Sequence, residues 1–405
     1  MLSVDEALQS ILREVQPFAA DTVALDDALG LVTAAEIISG IDSPPFDKSL
    51  MDGYSVRAAD ISGESTTLHV IEELTAGQVP SKTIAVGEAT RIMTGAPIPD
   101  GADAVVKVEE TQFDAASQTV RIAGVSIQAC ANLIRRGTSM KQGDVVLPAG
   151  RLLRPQELGS LAEMGKHFVP VRRRPKIAVL ATGDELVRIN ETPGPGQIRN
   201  SNETMLVAQI RHAGGEAIPL GVARDDATQL REKISVGLQS DVLLLSGGVS
   251  AGKLDLVPSA LEAAGVKQVF HKVHLKPGKP IWFGVLESEE STRKYVFGLP
   301  GNPVSSLVCF ELFVRTAIRR LMGIDPAEPQ AVRAKLGQEH IVRSDRPTYH
   351  PARLERGEVE AIVTPVSWHG SSDLRATLDA NGMILFPAGE RTYSSGEMLD
   401  VYLWD

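Results

Sequence analysis

Three acidic residues stand just past apolar segments, where the chain turns. Glu185 follows the run 176–182, Asp225 follows a short apolar stretch, and Asp255 comes soon after the run 241–245. Any one of them is compatible with the ordinary role of capping the next helix. Three at one edge of a sheet favour a site, because carboxylates repel phosphate unless a hard cation such as Mg²⁺ lies between them. The pattern indicates a Mg²⁺-bridged phosphate ester.

A second anion-binding feature is the segment Leu-Pro-Gly-Asn-Pro-Val-Ser-Ser at 299–306. Asn302 is a favoured N-cap residue, and Pro303 suits the first helical position, where a missing N–H costs nothing. Apolar residues then recur from Val304 at helical spacing. These features predict an amphipathic helix whose N-terminus, with its free N–H groups and positive dipole end, faces an anion.

The elements that must position these groups are continuous apolar runs that alternate with helical patterns. The runs are 176–182, 241–245, 281–285 and 295–299, and the helical patterns are 203–213, 228–238 and 255–264. Such alternation predicts βαβ units and a parallel sheet with both faces covered. Ligands of these sheets bind beyond the carboxyl ends of the strands.

Two nucleotide-binding motifs are nearly matched. The segment 247–253 fits the phosphate-binding G-x-x-x-x-G-K, but Leu254 stands where Ser or Thr must reach Mg²⁺. Gly194 and Gly196 lack a third glycine and do not follow a strand directly. Both a nucleoside-triphosphatase and a dinucleotide-binding protein are therefore disfavoured.

Several further segments carry a resemblance to a known family. They are Pro-Phe-Asp-Lys-Ser-Leu-Met-Asp-Gly-Tyr at 45–54, Arg-Ile-Met-Thr-Gly-Ala-Pro at 91–97, Gly-Ala-Asp-Ala-Val-Val at 101–106, Thr-Gly-Asp-Glu-Leu at 182–186, Gly-Gln-Ile-Arg-Asn-Ser-Asn at 196–202, Ser-Gly-Gly-Val-Ser at 246–250, Lys-Pro-Gly-Lys-Pro at 276–280 and Leu-Pro-Gly-Asn-Pro at 299–303. In this order, over the whole chain, they resemble the molybdopterin molybdenumtransferases, a family that includes the bacterial MoeA proteins and the E domain of gephyrin.

The resemblance implies a multidomain α/β plus β fold. It comprises an elongated N-terminal domain of residues 1–45 and 139–171, an inserted mixed α/β domain of 46–138, a molybdopterin-binding, MogA-like α/β domain of 172–322 and a C-terminal β-barrel domain of 323–405. Short alternating runs at 383–386 and 399–403 also favour a small barrel. The family forms an elongated homodimer whose cleft draws on both subunits, and we expect the same here.

The implied reaction inserts molybdenum from molybdate into adenylylated molybdopterin and releases AMP with the help of Mg²⁺. As catalytic residues the resemblance suggests Asp52, Thr94, Glu185, Asp225 and Asp255, of which the last three would bind the metal. The expected lining of the site is Thr182, Gly183, Ser246, Gly247, Gly248, Ser250, Lys272, Lys276, Lys279, Pro300, Pro303 and Ser305, with Arg346 and Ser371 as molybdate contacts.

The chemistry of molybdate agrees with this lining. A tetrahedral dianion is bound by ammonium, guanidinium, hydroxyl and backbone N–H donors. Exchanging oxo groups for dithiolene sulfurs requires positioning and charge neutralisation. We therefore expect no covalent intermediate on Ser, Cys or His.

Composition limits the alternatives. The net charge of −10 disfavours nucleic acid as a partner, and no apolar run of about 18 residues or export signal is visible, so we expect a cytoplasmic protein without a membrane partner. Cys130 and Cys309 are expected to be buried free thiols, and His271 and His274 lack the spacing of a zinc site. The run 172–174 is expected to be a solvated domain junction.

Two other functions remain open. The sister molybdopterin adenylyltransferase uses ATP but is usually a single domain, and that enzyme or another protein of the cofactor pathway is an expected partner. A scaffolding role like that of gephyrin is disfavoured, because nothing here resembles its extra domain and disordered linker.

Overall fold

The structure is a computed structural model that describes residues 1–224, 226–249, 256–287, 293–357 and 360–404. The chain divides into two compact units. The first unit contains Met1–Ala35, Ala149–Leu158 and His167–Asp405, and the second contains Glu36–Pro148 and Gly159–Lys166.

The helices of the described residues are α1 (Val4–Glu14), α2 (Pro155–Glu163), α3 (Ser201–His212), α4 (Ala227–Gly237), α5 (Leu256–Ala263), α6 (Pro303–Cys309) and α7 (Arg315–Leu321). A π-helical turn, Phe310–Val314, joins α6 to α7. Short 3₁₀ turns lie at Leu25–Asp27, Ala58–Asp60, Val108–Glu110 and Leu374–Asp379.

The strands from the start of the chain to residue 223 are β1 (Asp21–Ala24), β2 (Val32–Thr33), β3 (Ile37–Ile38), β4 (Lys48–Ser49), β5 (Gly53–Val56), β6 (Ser65–Leu74), β7 (Glu88–Ile92), β8 (Ala104–Lys107), β9 (Thr111–Asp114), β10 (Thr119–Ala123), β11 (Leu133–Ile134), β12 (Val145–Leu147), β13 (Phe168–Arg172), β14 (Lys176–Thr182), β15 (Leu186–Val187), β16 (Ile198–Arg199) and β17 (Glu216–Ala223). The remaining strands are β18 (Val242–Ser246), β19 (Lys267–His271), β20 (Trp282–Glu287), β21 (Arg293–Leu299), β22 (Ala331–Leu336), β23 (His340–Ser344), β24 (Thr348–Arg356), β25 (Ala361–Pro365), β26 (Gly382–Phe386), β27 (Gly389–Tyr393) and β28 (Met398–Leu403).

The central sheet of the first unit has six strands in the order β17-β14-β18-β21-β20-β19. Strands β17, β14, β18 and β21 are parallel, as the sequence predicts. Strand β20 contains most of the apolar run 281–285, and it is antiparallel to both β21 and β19, so the prediction of an entirely parallel sheet is wrong at this end. Because β20 runs backwards, the loop before it lies at the edge where the parallel strands end.

Alternate residues of the central strands supply two hydrophobic clusters. Ile177 and Val179 pack in one cluster, whereas Ala178 and Leu180 pack in the other. Side chains alternate between the faces of a strand, so both faces of the sheet are covered. Helices α3, α4 and α5 match the three predicted helical patterns within two residues at each end, apart from the position 255, which lies outside the described residues.

Helix α1 begins with a capping box, in which Ser3 accepts from the Glu6 backbone N–H and the Glu6 side chain accepts from Ser3 N–H. Its Ala7 and Ile11 are fully buried in the larger cluster of the first unit. The N-terminal segment therefore folds as part of this unit.

The segment from α6 to α7 is buried on nearly all sides. Five of the seven residues of α6 and all five residues of the π-helical turn Phe310–Val314 are buried. The predicted amphipathic helix should have one exposed face, and this prediction is wrong because the hydrophobic cluster surrounds α6. Within this apolar environment, Glu311 accepts hydrogen bonds from Arg315 Nε at 2.6 Å and from Gln209 Nε2 at 2.6 Å.

A closed five-stranded barrel, β22-β25-β24-β26-β28, ends the chain, with strands β26 and β28 over the two predicted alternating runs. Its core includes Leu336, Val363, Ile384, Phe386 and Val401. Closure removes the free sheet edges. Strands β23 and β27 pair separately as a two-stranded sheet.

The second unit contains a six-stranded sheet in the order β8-β5-β7-β6-β10-β9, over a core that includes Tyr54, Leu68 and Val106. Strands β4 and β11 form a smaller pair, as do β3 and β12. Among the residues that the structure describes, no helix is both long and apolar enough to span a membrane.

The arginines at 172–174 are largely solvated, as expected, since Arg173 and Arg174 are exposed, but they also form structural contacts. Arg172 donates to the backbone O of Phe18, and the guanidinium of Arg173 lies 3.8 Å from the centre of the Phe18 ring. Arg173 also donates to both carboxylate oxygens of Asp241 at 2.7 Å. Asp241 accepts in addition from Lys176 N–H at 2.8 Å, which ties the amino ends of β14 and β18 together.

Both cysteines are free, as predicted, but only Cys309 is buried. Burial raises the pKa of the Cys309 thiol, so it remains protonated. Cys130 is exposed, and its Sγ accepts a hydrogen bond from Arg135. The prediction that both thiols are buried is therefore wrong for Cys130, which lies in the second unit.

Glu157 is a buried carboxylate held by two arginines. Its Oε1 accepts from Arg151 Nη2 and Arg154 Nη2, each at 2.7 Å. The bonds from Arg154, with those from Arg151, lower the pKa of Glu157 to about 2. A carboxylate with a depressed pKa stabilises the folded state above its unfolded pKa, and this contribution is lost as the pH falls through the folded-state value.

Glu157→Gln is therefore expected to flatten the acid side of the stability profile. The wild-type free energy of unfolding should fall between pH 4.5 and about 2 more steeply than that of the variant. Urea titrations at several pH values measure this difference. Glu355→Gln removes an exposed ion-pair partner and serves as the control, with a profile parallel to that of the wild type. Parallel profiles for wild type and Glu157→Gln would contradict the prediction.

Candidate active site

A cavity of about 700 Å³ lies at the edge of the central sheet where β14, β18 and β21 end. Eight of the predicted site residues line it: Thr182, Gly183, Glu185, Ser246, Gly247, Gly248, Pro300 and Pro303. The carboxyl ends of parallel strands are the usual ligand-binding edge of such sheets. The strand pattern alone thus brings these residues together from three separate parts of the chain.

Hydrogen bonds connect the ends of β14, β18 and β21. Thr182 and Ser246 are the last residues of β14 and β18, and the Thr182 hydroxyl lies 3.5 Å from the Ser246 backbone O, to which it donates. Gly247 donates its N–H to Leu299 O at 3.0 Å, which connects β18 to β21. Gly247 has φ +95°, and a Cβ there would lie 2.7 Å from Thr182 O. Only glycine fits this close approach without displacing backbone.

Glu185 extends from the turn after β14 and is exposed at the rim of the cavity. Its side chain folds back over Gly183, where a Cβ would lie 2.3 Å from Glu185 Oε2. Among the described residues it forms no ion pair, so its charge is available to a cationic ligand. It is a carboxylate of the type that hard cations bind.

Gly183→Ala is expected to disturb Glu185 directly. Gly183 has φ +142°, which other residues rarely adopt, and the new methyl group would displace the carboxylate. We expect activity to fall about tenfold, because displacing a catalytic group by about 1 Å slows the reaction. The backbone strain should destabilise the protein by about 1–3 kcal/mol. The rate of the catalysed reaction and the melting temperature measure the two effects.

Gly40→Ala is the control for that substitution, because a Cβ at Gly40 meets nothing within 4 Å. Its activity and melting temperature should match the wild type. Full activity of Gly183→Ala would show that the position of Glu185 is unimportant.

Asn302 is the N-cap residue of α6, as predicted, but its side chain has a different role. Its side chain makes no capping hydrogen bond to α6, and its Nδ2 donates to Ser371 Oγ at 2.8 Å instead. Ser371 also accepts the N–H of Val304 through its backbone O at 3.0 Å. Ser371, which we expected to contact molybdate, is thereby held at the start of α6, and the next residue, Ser372, lines the cavity.

Other predicted lining residues lie outside this cavity. Ser305 is buried within α6, Lys279 is exposed, and Lys272 is half-buried with φ +71°. Arg346 Nη1 donates to the backbone O of Leu275 at 3.2 Å. Lys276 lines a second cavity, of about 640 Å³, together with residues that include His340 and His350.

Asp52 and Thr94, the two predicted reaction residues of the second unit, contact each other. Asp52 Oδ1 accepts from both the backbone N–H and the hydroxyl of Thr94, each at 2.7 Å. These two bonds lower the pKa of Asp52. The carboxylate is consequently ionised and fixed in direction near neutral pH.

Asp225, Ser250 and Asp255 lie outside the described residues. Of the three proposed Mg²⁺ ligands, the structure therefore describes Glu185 alone. Over the described ranges, no group of three or more His, Cys, Asp or Glu side chains has the arrangement of a metal site. His271 forms a 3.1 Å hydrogen bond between its Nε2 and Val249 O.

The sequence did not assign a site role to several lining residues, among them Arg199, Asn202 and Arg224. Arg199 and Asn202 belong to the segment 196–202, whose resemblance was noted without a role for either side chain. Arg224 precedes Asp225, and its Nη1 donates to the backbone O atoms of Asp184 and Leu186 at 2.6 and 3.2 Å. The two guanidinium groups add positive charge to the cavity wall, which suits an anionic ligand.

Asn200, by contrast, has a structural role. Its side chain caps α3 by accepting from Glu203 N–H at 3.2 Å. An aspartate is about equally good in this position.

Comparisons with known proteins agree with this geometry. Three family models match the chain: the MoeA N-terminal region (domain I and II) at residues 2–165, a probable molybdopterin-binding domain at 178–320, and the MoeA C-terminal region (domain IV) at 333–404. Together they cover most of the chain in the same order as the motifs.

Similar proteins cover almost the whole chain. The molybdopterin molybdenumtransferases of Staphylococcus aureus (strain COL) and Staphylococcus epidermidis are each 33% identical over 407 aligned residues, which cover 99% of this chain and 95% of theirs. A crystal structure of a molybdopterin biosynthesis MoeA protein from Pyrococcus horikoshii superposes with a TM-score of 0.83, at 32% identity, over 100% of this chain and 99% of that one. The chain belongs to the molybdopterin molybdenumtransferase (MoeA) family of transferase enzymes.

Proposed function

We propose that this enzyme inserts molybdenum from molybdate into the dithiolene of adenylylated molybdopterin and cleaves the pyrophosphate bond to release AMP. The observation that carries the proposal is the cavity at the end of β14, β18 and β21, where hydroxyl, glycine, arginine and carboxylate groups converge. Its size of about 700 Å³ is within the range of small-molecule sites. The related Staphylococcus enzymes carry the corresponding name.

The chain's own groups in the cavity suit an anionic substrate. Arg199 and Arg224 supply positive charge, and Ser246 and Thr182 supply hydroxyl groups. We assign Glu185, with Asp225 and Asp255, to holding Mg²⁺, which when bound would neutralise charge on the pyrophosphate. The positive end of the α6 dipole, at Pro303 in the cavity wall, favours negative charge. These groups position the phosphate-bearing end of the substrate.

Molybdate is assigned to the cationic residues around this cavity. Lys272, Lys276 and Lys279 supply ammonium groups, Arg346 supplies a guanidinium, and Ser371 supplies a hydroxyl group. Asp52 and Thr94 are assigned to the reaction through the ionised carboxylate that Thr94 orients. A homodimer is the proposed form of the enzyme.

The first experiment incubates purified protein with adenylylated molybdopterin and Mg²⁺, with and without molybdate. AMP release and molybdenum bound to the pterin are measured together. Release that depends on molybdate, with cofactor formation, is the expected result. Consumption of ATP with free molybdopterin would instead establish the adenylyltransferase, and silence in both assays would favour a scaffolding role.

Lys279→Ala tests the molybdate assignment. We expect the molybdate concentration for half-maximal activity to rise about tenfold or more, because a charge-assisted hydrogen bond contributes about 1.5–3 kcal/mol. Lys267→Ala is the matched control, since Lys267 is also an exposed lysine but begins β19 at the opposite edge of the sheet. An unchanged molybdate dependence in Lys279→Ala would exclude Lys279 from the site.

A further inference from the structure

We propose that Asn202 is a positioning residue that makes the Ser246 hydroxyl a hydrogen-bond donor to the phosphate-bearing end of the substrate. The role rests on the proposed function and adds a residue to it. Asn202 is the second residue of α3 and is 9% exposed, at the wall of the cavity. It connects two of the loops that surround the ligand.

Both hydrogens of the Asn202 amide are in use. Nδ2 donates to Ser246 Oγ at 2.8 Å and to Gly301 O at 2.7 Å. The first bond reaches the end of β18, and the second reaches the loop between β21 and α6. One side chain therefore holds the strand end and the loop at a constant separation.

The orientation of this amide is determined by its partners. Gly301 contributes a backbone carbonyl, which only accepts, so the nitrogen and not the oxygen of Asn202 must face it. Asn202 Oδ1 is then buried, with no hydrogen-bond partner among the described residues. A buried acceptor without a partner is unfavourable. Asn202 Oδ1 therefore stays unsatisfied, while Nδ2 bonds to both Ser246 Oγ and Gly301 O.

The consequence falls on Ser246, which is 3% exposed and lines the cavity. A hydroxyl has one hydrogen to donate and two lone pairs. Because Asn202 occupies a lone pair, the Ser246 hydrogen is directed to another acceptor, and within the described part of the chain none is present. A phosphate oxygen of the substrate is the acceptor that the cavity would supply.

A double-mutant cycle on substrate affinity tests this role. Adenylylated molybdopterin is titrated calorimetrically, without molybdate, into wild type, Asn202→Ala, Ser246→Ala and the double variant. Each single substitution should raise the Kd about tenfold, and the double variant should also show about a tenfold rise, because the two residues act through one hydrogen bond to ligand. A double effect equal to the product, about 100-fold, would overturn the proposal.

Two further variants separate positioning from folding. Asn202→Asp retains the shape of the side chain but, when ionised, cannot donate, so the Ser246 hydroxyl should turn toward it and the Kd should rise as in Asn202→Ala. Thr204→Ala changes an exposed residue in the same turn of α3 and should leave the Kd unchanged. Wild-type affinity in Asn202→Asp would overturn the role.

The cycle also distinguishes this role from the function beneath it. If wild type binds substrate and shows molybdate-dependent AMP release while the two substitutions are additive, only the Asn202 role is wrong. If wild type neither binds nor releases AMP, the proposed function is wrong, and the role is lost with it.

Discussion

Glu185→Gln is expected to lower the rate of the proposed Mg²⁺-dependent AMP release by about 10²-fold, the effect of removing one preorganised electrostatic group from an active site. The substitution keeps the size of the side chain and removes its charge. Glu185 has no ion pair among the described residues and stands at the rim of the cavity. Its charge therefore has no structural role there that would explain a loss of activity by unfolding.

The measurement is AMP release as a function of Mg²⁺ concentration. We expect the variant to require more Mg²⁺ and to remain slow at saturation. Glu191→Gln is the matched control, because Glu191 is an exposed glutamate six positions away that does not line this cavity. Wild-type release by Glu185→Gln at every Mg²⁺ concentration would remove Glu185 from the metal assignment.

Glu311→Ala is expected to cause the largest loss of stability, about 3–5 kcal/mol, because it leaves a buried partner charge uncompensated. The Glu311 side chain is 5% exposed and that of Arg315 is 15% exposed. Truncation would also remove the acceptor of Gln209 Nε2. The loss should appear as a lower urea midpoint. All three tryptophans, Trp282, Trp368 and Trp404, lie in the first unit, so their fluorescence reports on its unfolding.

Glu390→Ala is the control for this prediction. Glu390 pairs with Arg343 at 2.6 Å, the same distance as in the Glu311–Arg315 pair, but its side chain is 71% exposed. An exposed pair contributes about 0–1 kcal/mol, so its removal should leave the midpoint nearly unchanged. Equal effects of the two substitutions would show that burial does not determine the strength of these pairs.

The strand ends of the cavity could be predicted because their signals are local. Runs of apolar, β-branched residues followed by glycine place Thr182 and Ser246 at the edge of a sheet, and the structure confirms both strands. The direction of β20 has no such signal. An apolar run in a buried strand looks the same in either direction, since both faces are covered.

The roles of single polar side chains were harder to predict. Asn302 has the sequence position of an N-cap, but Ser371 is a tertiary partner, 69 positions away, that competes for its amide. Asn202 likewise depends on Ser246 and Gly301, which only folding brings near. Local propensity does not include such distant partners, and the exposure of Cys130 depends on packing in the same way.

The Asp241 contacts at the amino ends of β14 and β18 have a consequence for protein engineering. There, Asp241 is satisfied by Arg173 and Lys176, whereas at the opposite end of the same strands Asn202 Oδ1 has no hydrogen-bond partner in the part of the chain that the structure describes. Substitutions that fill the cavity, or that supply a hydrogen-bond partner to Asn202 Oδ1, should be recovered readily in a selection for thermostability. They should lower the turnover of the enzyme. A thermostable variant that retains its activity is better sought at other positions than this end of the sheet.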